Sequence, residues 1–299
     1  MKISIQQLSK TYANGTCALD NISLDIAPGM FGLLGPNGAG KSTLMRTLAT
    51  LQQPTSGTAT LGDTDISKDP DAIRRQLGYL PQEFGVYQGV SAYDLLTHLA
   101  VLKGIGPKSV RKQTVDYLLE RVNLSDQRKK AVSGFSGGMR QRFGIAQALL
   151  GDPALVIVDE PTAGLDPGER NRFYNLLSEI GEEKIVILST HIVQDVEQLC
   201  SQLAIINEGR LLFTGSPIDA RSELDGMVYE RSFTKPALAA IRDSVSILSE
   251  RLVMGQPLVR ILIKPGDLIP EGFQPVEPDL EDVFFAHISN YLSFATQTA

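Results

Sequence analysis

The feature that most constrains this chain is a glycine-rich stretch at residues 34–43, Leu-Gly-Pro-Asn-Gly-Ala-Gly-Lys-Ser-Thr, which matches G-x-x-x-x-G-K-[ST]. Its glycines let the backbone turn tightly and bring N–H groups against phosphate oxygens. The helix that begins at Lys41 directs its positive dipole end to the same point. Lys41 can reach the β- and γ-phosphates, and the Ser42 hydroxyl can ligate Mg²⁺. The predicted phosphate-binding residues are Gly35, Pro36, Asn37, Gly38, Ala39, Gly40, Lys41, Ser42 and Thr43.

The alternative for this stretch is a glycine-rich turn that merely connects a strand to a helix. The apolar residues 30–34 predict a short buried strand before it, and Leu44, Met45 and Leu48 give the following segment a helical face. This strand–loop–helix context favours nucleotide binding.

Composition narrows the class of protein. The chain has 299 residues, 42% hydrophobic and 21% charged, which is typical of a globular protein with one large domain or two smaller ones. A net charge of -6 argues against nucleic acid as the main partner. Cys17 and Cys200 lack metal-ligand spacing, which predicts free thiols in a reducing compartment. With no long apolar run and no secretory signal, we expect a cytoplasmic protein that works on a membrane only through a partner.

Two carboxylates follow the most apolar run of the chain. Residues 154–158 read Ala-Leu-Val-Ile-Val, as expected of a central parallel strand, and Asp159 and Glu160 come directly after them. Buried acidic residues are costly unless they meet a cation, which the Mg²⁺ that accompanies a nucleotide supplies. Asp159 is then a metal-site carboxylate, and Glu160 positions or deprotonates the attacking water. The alternative is a solvated turn.

Four further positions allow a structural and a functional interpretation. Gln82 and His191 each follow a predicted strand, and ligands of α/β sheets bind at such strand ends. The alternative is that Gln82 is a solvated loop residue and His191 a structural one. The Ser-Gly-Gly run from Ser136 opens a helix, as an ordinary N-cap or as an anion site. Tyr12 is either a packing residue or a platform for a purine ring.

Taken in order, these motifs resemble the nucleotide-binding subunits of ABC transporters over residues 1 to about 220. The resemblance implies an α/β P-loop ATPase core, with a central, mostly parallel sheet and an antiparallel N-terminal sheet. A helical subdomain is expected at about 91–150, and a small α+β appendix at 221–299. No phosphate or metal motif occurs in the appendix.

The resemblance also implies roles for single residues. The signature motif of the family corresponds to residues 135–139, although Phe135 and Met139 replace the usual leucine and glutamine, so a glutamine contact is lost there. Residues 163–166 correspond to the D-loop. The implied roles are adenine stacking for Tyr12, Mg²⁺ placement for Ser42, Gln82 and Asp159, catalysis for Glu160 and His191, and nucleotide contact for Ser136, Gly137, Gly138 and Asp166.

In the family, ATP lies between the phosphate loop of one cassette and the signature of another. One chain carries one copy of each, so the resemblance implies a dimer of cassettes with a two-fold axis, expected to be a homodimer. ATP binding closes this dimer, and hydrolysis reopens it.

The resemblance further implies an integral-membrane permease subunit as a separate chain. This subunit is expected to dock on segment 83–93, where Phe84, Val86 and Tyr87 are apolar enough to seat a helix. The chain would then lie on the inner face of the cell membrane. Residues 278–285, Pro-Asp-Leu-Glu-Asp-Val-Phe-Phe, resemble the tail of bacterial drug-, antibiotic- or lipid-exporting subunits, so the expected function is that of an exporter motor.

Two other functions remain open at this point. A soluble ABC ATPase that acts on DNA or ribosomes usually carries two cassettes or long basic insertions, and one cassette with a net charge of -6 counts against it. A nucleotide-binding module without turnover is disfavoured because Glu160 and His191 are both present.

Overall fold

A computed structural model of the chain describes residues 1–82, 85, 88–162, 164–234, 236–238 and 245–292. The strands of this part are β1 (Ile3–Thr11), β2 (Cys17–Ile26), β3 (Gly29–Leu34), β4 (Ser56–Leu61), β5 (Thr64–Asp65), β6 (Leu77–Leu80), β7 (Leu155–Asp159), β8 (Ile185–Thr190), β9 (Gln202–Asn207), β10 (Arg210–Gly215), β11 (Val228–Ser232), β12 (Ser246–Val253), β13 (Gln256–Leu262) and β14 (Gln274–Pro275). The helices are α1 (Lys41–Leu48), α2 (Pro70–Arg75), α3 (Ala92–Leu102), α4 (Lys108–Arg121), α5 (Gly137–Ala148), α6 (Pro167–Gly181), α7 (Val193–Leu199), α8 (Pro217–Ser222) and α9 (Leu280–Ile288).

A six-stranded sheet in the order β10-β9-β3-β8-β7-β6 forms the centre of the fold, as predicted. Its strands pair in parallel except for β10, which returns antiparallel to β9. Every residue of β7 is buried, as a continuous apolar run requires of a parallel strand covered on both faces. Since parallel strands end at one edge, the segments that follow β3, β6, β7 and β8 meet there.

The antiparallel N-terminal sheet is also confirmed, with the order β2-β1-β4-β5. Ile3, Ile5 and Leu8 of β1 are buried and belong to the same apolar cluster as Leu44 and Met45 of α1. Helix α1 also packs against β7 and β8 of the central sheet. The helix that follows the glycine-rich loop is therefore held between two sheets.

Helices α3, α4 and α5 form the helical region expected from the sequence, and α3 and α4 each pack against α5. Helix α5 lies directly on β6, where a Cβ added at Gly78 would stand 2.2 Å from the carbonyl oxygen of Ala148. This position therefore requires glycine. The close contact fixes α5 to the strand that leads to Gln82.

A third, antiparallel sheet of order β12-β13-β11-β14 and helix α9 form the C-terminal part. The sequence also predicts a helix at 237–243, and most of that segment lies outside the described residues. Helix α9 packs against α7, α8 and β9, and its Val283 and Phe284 share one buried cluster with Val196 and Leu203. The domain boundary near residue 220 stays a prediction. None of the helices in the described part is long and apolar enough to cross a membrane.

Helix α9 is anchored to the C-terminal sheet by Arg260 of β13. The Arg260 guanidinium donates to Asp279 at 2.7 Å, to Asp282 at 2.6 Å and to Glu230 at 2.9 Å. Asp279 and Asp282 also form the capping box of α9, which satisfies backbone N–H groups at its start. Burial raises the pKa of Asp282 to about 6. One guanidinium thus holds three carboxylates and fixes the beginning of the helix.

Candidate nucleotide site

The glycine-rich loop follows β3 at the carboxyl edge of the central sheet and leads into α1. Gly40 has φ 107°, and a Cβ there would stand 2.5 Å from the carbonyl oxygen of Ala18. At Gly35 a Cβ would meet the carbonyl oxygen of Ile206 at 2.4 Å. Both positions therefore require glycine. At each of them a Cβ would clash with a backbone oxygen, and Gly40 also has a φ angle that other residues rarely adopt.

A cavity of about 570 Å³ opens above this loop. Its lining comprises Thr16, Cys17, Ala18, Asn37, Gly38, Ala39, Gly40, Lys41, Ser42, Thr43, Gln82, Glu160 and Glu208. Most of these residues were predicted from the phosphate-loop pattern and from the strand ends. The contributions from the start of β2 and from Glu208 were not, because only tertiary structure brings those segments to the loop.

The ammonium group of Lys41 is held inside the loop. Its side chain is only 5% exposed and donates to the carbonyl oxygens of Gly35 at 2.7 Å and Pro36 at 3.0 Å. The Nζ atom lies 4.0 Å from Oε1 of Glu160. Burial lowers the pKa of Lys41, and the carboxylates of Glu160 and Asp159 oppose that change. A buried cation beside the cavity is a strong attractor for phosphate oxygens.

Besides Lys41, Glu160 contacts two predicted site residues that are distant in the sequence, Gln82 and His191. Gln82 Nε2 donates to its Oε2 at 3.0 Å, and His191 Nδ1 lies 3.2 Å from its Oε1. The backbone of Glu160 has φ 46°, a left-handed conformation that costs a non-glycine residue about 1–3 kcal/mol. Strain of this kind is concentrated at functional sites, which fits the position of this carboxylate at the cavity wall.

The neighbouring Asp159 is suited to a cation. It is 6% exposed, and its Oδ1 atom has no hydrogen-bond partner within the described part of the chain. Burial raises the pKa of this carboxyl, because the charged form is desolvated. The unpartnered oxygen of Asp159 at the end of β7 and the hydroxyl of the exposed Ser42 in the cavity lining are oxygen donors of the kind that Mg²⁺ prefers.

Tyr12 is also brought to the loop. Its hydroxyl lies 3.2 Å from Thr43 Oγ1 and donates to Gln52 Oε1 at 3.3 Å. The residue remains 36% exposed, so part of its surface is open to a ligand.

The signature residues and Asp166 do not join this cavity. Ser136 is the N-cap of α5 and accepts from the backbone N–H of Met139 at 3.3 Å. Asp166 is the N-cap of α6 and accepts from the N–H of Glu169 at 2.9 Å. Neither these residues nor Gly137 and Gly138 are among those that line the cavity.

The departure at Phe135 has a structural reason. Its ring is buried and packs edge-to-face on Phe143 of α5, with ring centroids 6.3 Å apart. Met139 is partly buried against the same cluster. Both side chains therefore serve packing of the helix that the signature begins.

One further buried carboxylate near the site, Asp195 on α7, was not predicted from the sequence. It accepts hydrogen bonds from the hydroxyls of Thr162, Tyr174 and Thr190, the last at 3.1 Å. The available signal was its spacing, four residues after His191. In sequence, however, it cannot be told from an ordinary acidic residue in the first turn of a helix.

Comparison with known proteins shows the family of the chain. A family model described as ABC transporter matches residues 19–163. The chain is 35% identical to the daunorubicin/doxorubicin resistance ATP-binding protein DrrA of Streptomyces peucetius, over 76% of this chain and 68% of that protein. It is 32% identical to the uncharacterized ABC transporter ATP-binding protein YxlF of Bacillus subtilis, over 94% of this chain and 98% of that protein. A solved dimeric bacterial ABC transporter cassette has a TM-score of 0.65 at 25% identity, covering 72% of this chain and 98% of that chain.

The chain therefore belongs to the ATP-binding proteins of ABC transporters. It is an ATPase subunit of this class, and its family pairs with membrane subunits and forms dimers. The cavity above the glycine-rich loop is therefore the candidate site for the nucleotide of this family.

Proposed function

We propose that this chain drives export through a separate membrane subunit by hydrolysing Mg²⁺-ATP at two sites shared between two copies of itself. The observation that carries the proposal is the environment of Glu160. Its carboxylate is bonded to Gln82, lies against His191 and stands 4.0 Å from the Lys41 ammonium at the wall of the cavity. This arrangement combines a base with groups that can hold a phosphate.

In the proposed reaction, the loop N–H groups and Lys41 hold the phosphates while Tyr12 stacks on adenine. Glu160 accepts a proton from the attacking water, whose oxygen bonds to the γ-phosphorus as the bond to the β,γ-bridging oxygen breaks. His191 keeps Glu160 in place through its 3.2 Å contact and holds the γ-phosphate. Gln82 fixes the second carboxylate oxygen.

Ser42, Gln82 and Asp159 are the residues that would hold Mg²⁺. Held by these residues, the ion would supply positive charge to offset the charge of the phosphate groups. The unpartnered Asp159 oxygen supports this assignment because a buried carboxylate needs a partner.

A second copy is needed because one chain does not bring its signature to its own cavity. In the proposed homodimer, Ser136, Gly137 and Gly138 of one chain close over the γ-phosphate held by the other, with Asp166 beside this interface. The start of α5 suits an anion because the N-terminus of a helix presents backbone N–H groups and the positive end of the helix dipole.

We place the membrane subunit on an apolar cleft of about 560 Å³ beside β6. The walls include Leu51, Leu99, Leu102 and Lys103, and Leu51 and Leu102 are 62% and 71% exposed. Apolar side chains this exposed favour a partner helix. The sequence predicts that the membrane subunit docks on Phe84, Val86 and Tyr87, which lie outside the described residues. The cleft borders β6, the strand that leads to these three residues.

Export is the proposed direction of transport. The relative from Streptomyces peucetius is named for daunorubicin and doxorubicin resistance, and residues 278–285 of this chain resemble the tail of exporter subunits. The chain would act at the inner face of the cell membrane. A soluble ATPase on nucleic acid or ribosomes is the competing function, and consistent purification without any multi-spanning protein would support it instead.

Removal of the metal tests the proposed site. Wild-type ATP turnover should need Mg²⁺ and disappear with excess EDTA, and Asp159→Asn should raise the Mg²⁺ concentration for half-maximal turnover by at least about tenfold. The variant Asp152→Asn, on an exposed side chain, is the control that should leave this value unchanged. If Asp159→Asn behaved like the control, Asp159 would not be a metal ligand.

A charge in the apolar cleft tests the docking surface. Leu102→Glu should lower recovery of the membrane subunit with the tagged chain by about tenfold or more, because docking would desolvate the new carboxylate. In the absence of the membrane subunit, the Leu102→Glu variant should bind ATP as tightly as the wild type, since the cleft is separate from the ATP cavity. Val110→Glu, also exposed and outside the cleft, should recover the subunit normally. Equal recovery of the membrane subunit with both variants would show that the cleft is not the docking surface.

A further inference from the structure

We propose that Asp195 is a positioning residue for Glu160 and His191, acting through three buried hydroxyl groups. The inference rests on the catalytic roles proposed above for those two residues. Asp195 does not line the ATP cavity, so any effect on turnover must pass through its neighbours.

The three hydroxyls converge on one carboxylate in a dry environment. The Oδ2 atom of Asp195 accepts from Thr162 and, at 3.1 Å, from Thr190. Its Oδ1 atom accepts from the hydroxyl of Tyr174. Asp195 and all three donors are buried. Hydrogen bonds to a charged acceptor are stronger and more directional than neutral ones, and here water does not compete.

The donors come from the segments that carry the proposed machinery. Thr162 stands two residues after Glu160, and Thr190 directly precedes His191. The Oγ1 atom of Thr190 also accepts from the backbone N–H of Ile192 at 2.9 Å, so the network holds the chain on both sides of the histidine.

The third donor extends the network to another loop. Tyr174 belongs to α6, whose N-cap is Asp166 of the D-loop. Burial and the bond to Asp195 both raise the pKa of Tyr174, so its hydroxyl keeps the proton that it donates. One carboxylate thus connects the segments of Glu160, His191 and Asp166.

Only an acceptor can serve all three donors at once. An ionised carboxylate has no proton to give, so it makes each hydroxyl donate and fixes its direction. An amide of the same size replaces one oxygen by an NH₂ donor, so at least one hydroxyl must turn or lose its partner. The 3.2 Å contact between His191 and Glu160 would then be less well ordered. Catalysis depends on the exact placement of Glu160 and His191, so it is sensitive to such a loss of order. ATP binding to the loop does not depend on that placement.

The test uses the full chain with the substitution Asp195→Asn, assayed with Mg²⁺-ATP. We expect kcat to fall about tenfold and KM for ATP to change less than about twofold, the pattern of a loss confined to the transition state. Because ATP still binds while hydrolysis is slow, an ATP-bound dimer should accumulate on gel filtration, as it should also when Glu160→Gln removes the proposed base. A merely structural role would not produce this dimer.

The matched control is Asp282→Asn, a second buried aspartate that accepts several hydrogen bonds but lies on α9. It should retain the wild-type kcat even if its melting temperature falls. Normal kcat in folded Asp195→Asn would overturn the inference, as would a loss of kcat and ATP affinity together without the trapped dimer. If Glu160→Gln and His191→Ala also turned over normally, the proposed function itself would be wrong.

Variants that remove one donor keep the inference testable if Asp195→Asn does not fold. Thr162→Val and Tyr174→Phe each leave the carboxylate and two donors in place. Each should lower kcat about threefold at unchanged KM. Wild-type kcat in both would overturn the inference.

Discussion

Replacing Glu160 by glutamine should lower ATP turnover by about 10²–10³-fold, within the range that a general base contributes. The amide keeps the size of the side chain and can still bond to its neighbours, but it cannot take a proton from water. The loop and Lys41 are unchanged, so ATP affinity should stay within about twofold of the wild type.

The same variant should reveal the dimer. With Mg²⁺-ATP it should elute as two copies and hold two ATP molecules, whereas the wild type should return to monomer as it hydrolyses. Glu120→Gln, an exposed residue of α4, is the control and should turn over normally. Normal turnover in Glu160→Gln would remove Glu160 as the base, and slow turnover without a dimer would count against the shared site.

Replacing Lys41 by methionine should weaken ATP binding by about 100-fold or more, because the ammonium makes charge-assisted bonds to phosphate. The free energy of unfolding without nucleotide should change by less than about 1 kcal/mol. Loss of the bonds to Gly35 and Pro36 is offset because a buried ammonium no longer needs to be desolvated.

Nucleotide titration and urea unfolding of the same preparation separate these two effects. Lys68→Met, in a side chain that is largely exposed, should change neither quantity appreciably. If Lys41→Met instead lost several kcal/mol of stability, the ammonium would be a structural group of the loop, and its effect on ATP binding would be indirect.

The sequence was most informative where one short pattern predicts both a helix or strand and the functional residues at its end. The loop before α1 and the apolar strand ending in Asp159 could be placed because glycine spacing and burial act over a few neighbouring residues. The same reasoning missed β5, β14, α7 and α8, which are short enough for their patterns to be indistinct. It could not find Asp195, because the three hydroxyls that define its role come from separate segments. The cavity wall from Thr16 to Ala18 was missed for the same reason.

The contact between α9 and the core joins residues that the ribosome synthesises at different times. Val196 and Leu203 are synthesised well before Val283 and Phe284, the residues that help bury them. On the ribosome, the central sheet can therefore be complete while part of its apolar covering is still missing. Exposed apolar surface of this kind invites aggregation or chaperone binding. A stop codon between β10 and α9 should thus leave a chain that aggregates, rather than a smaller working cassette.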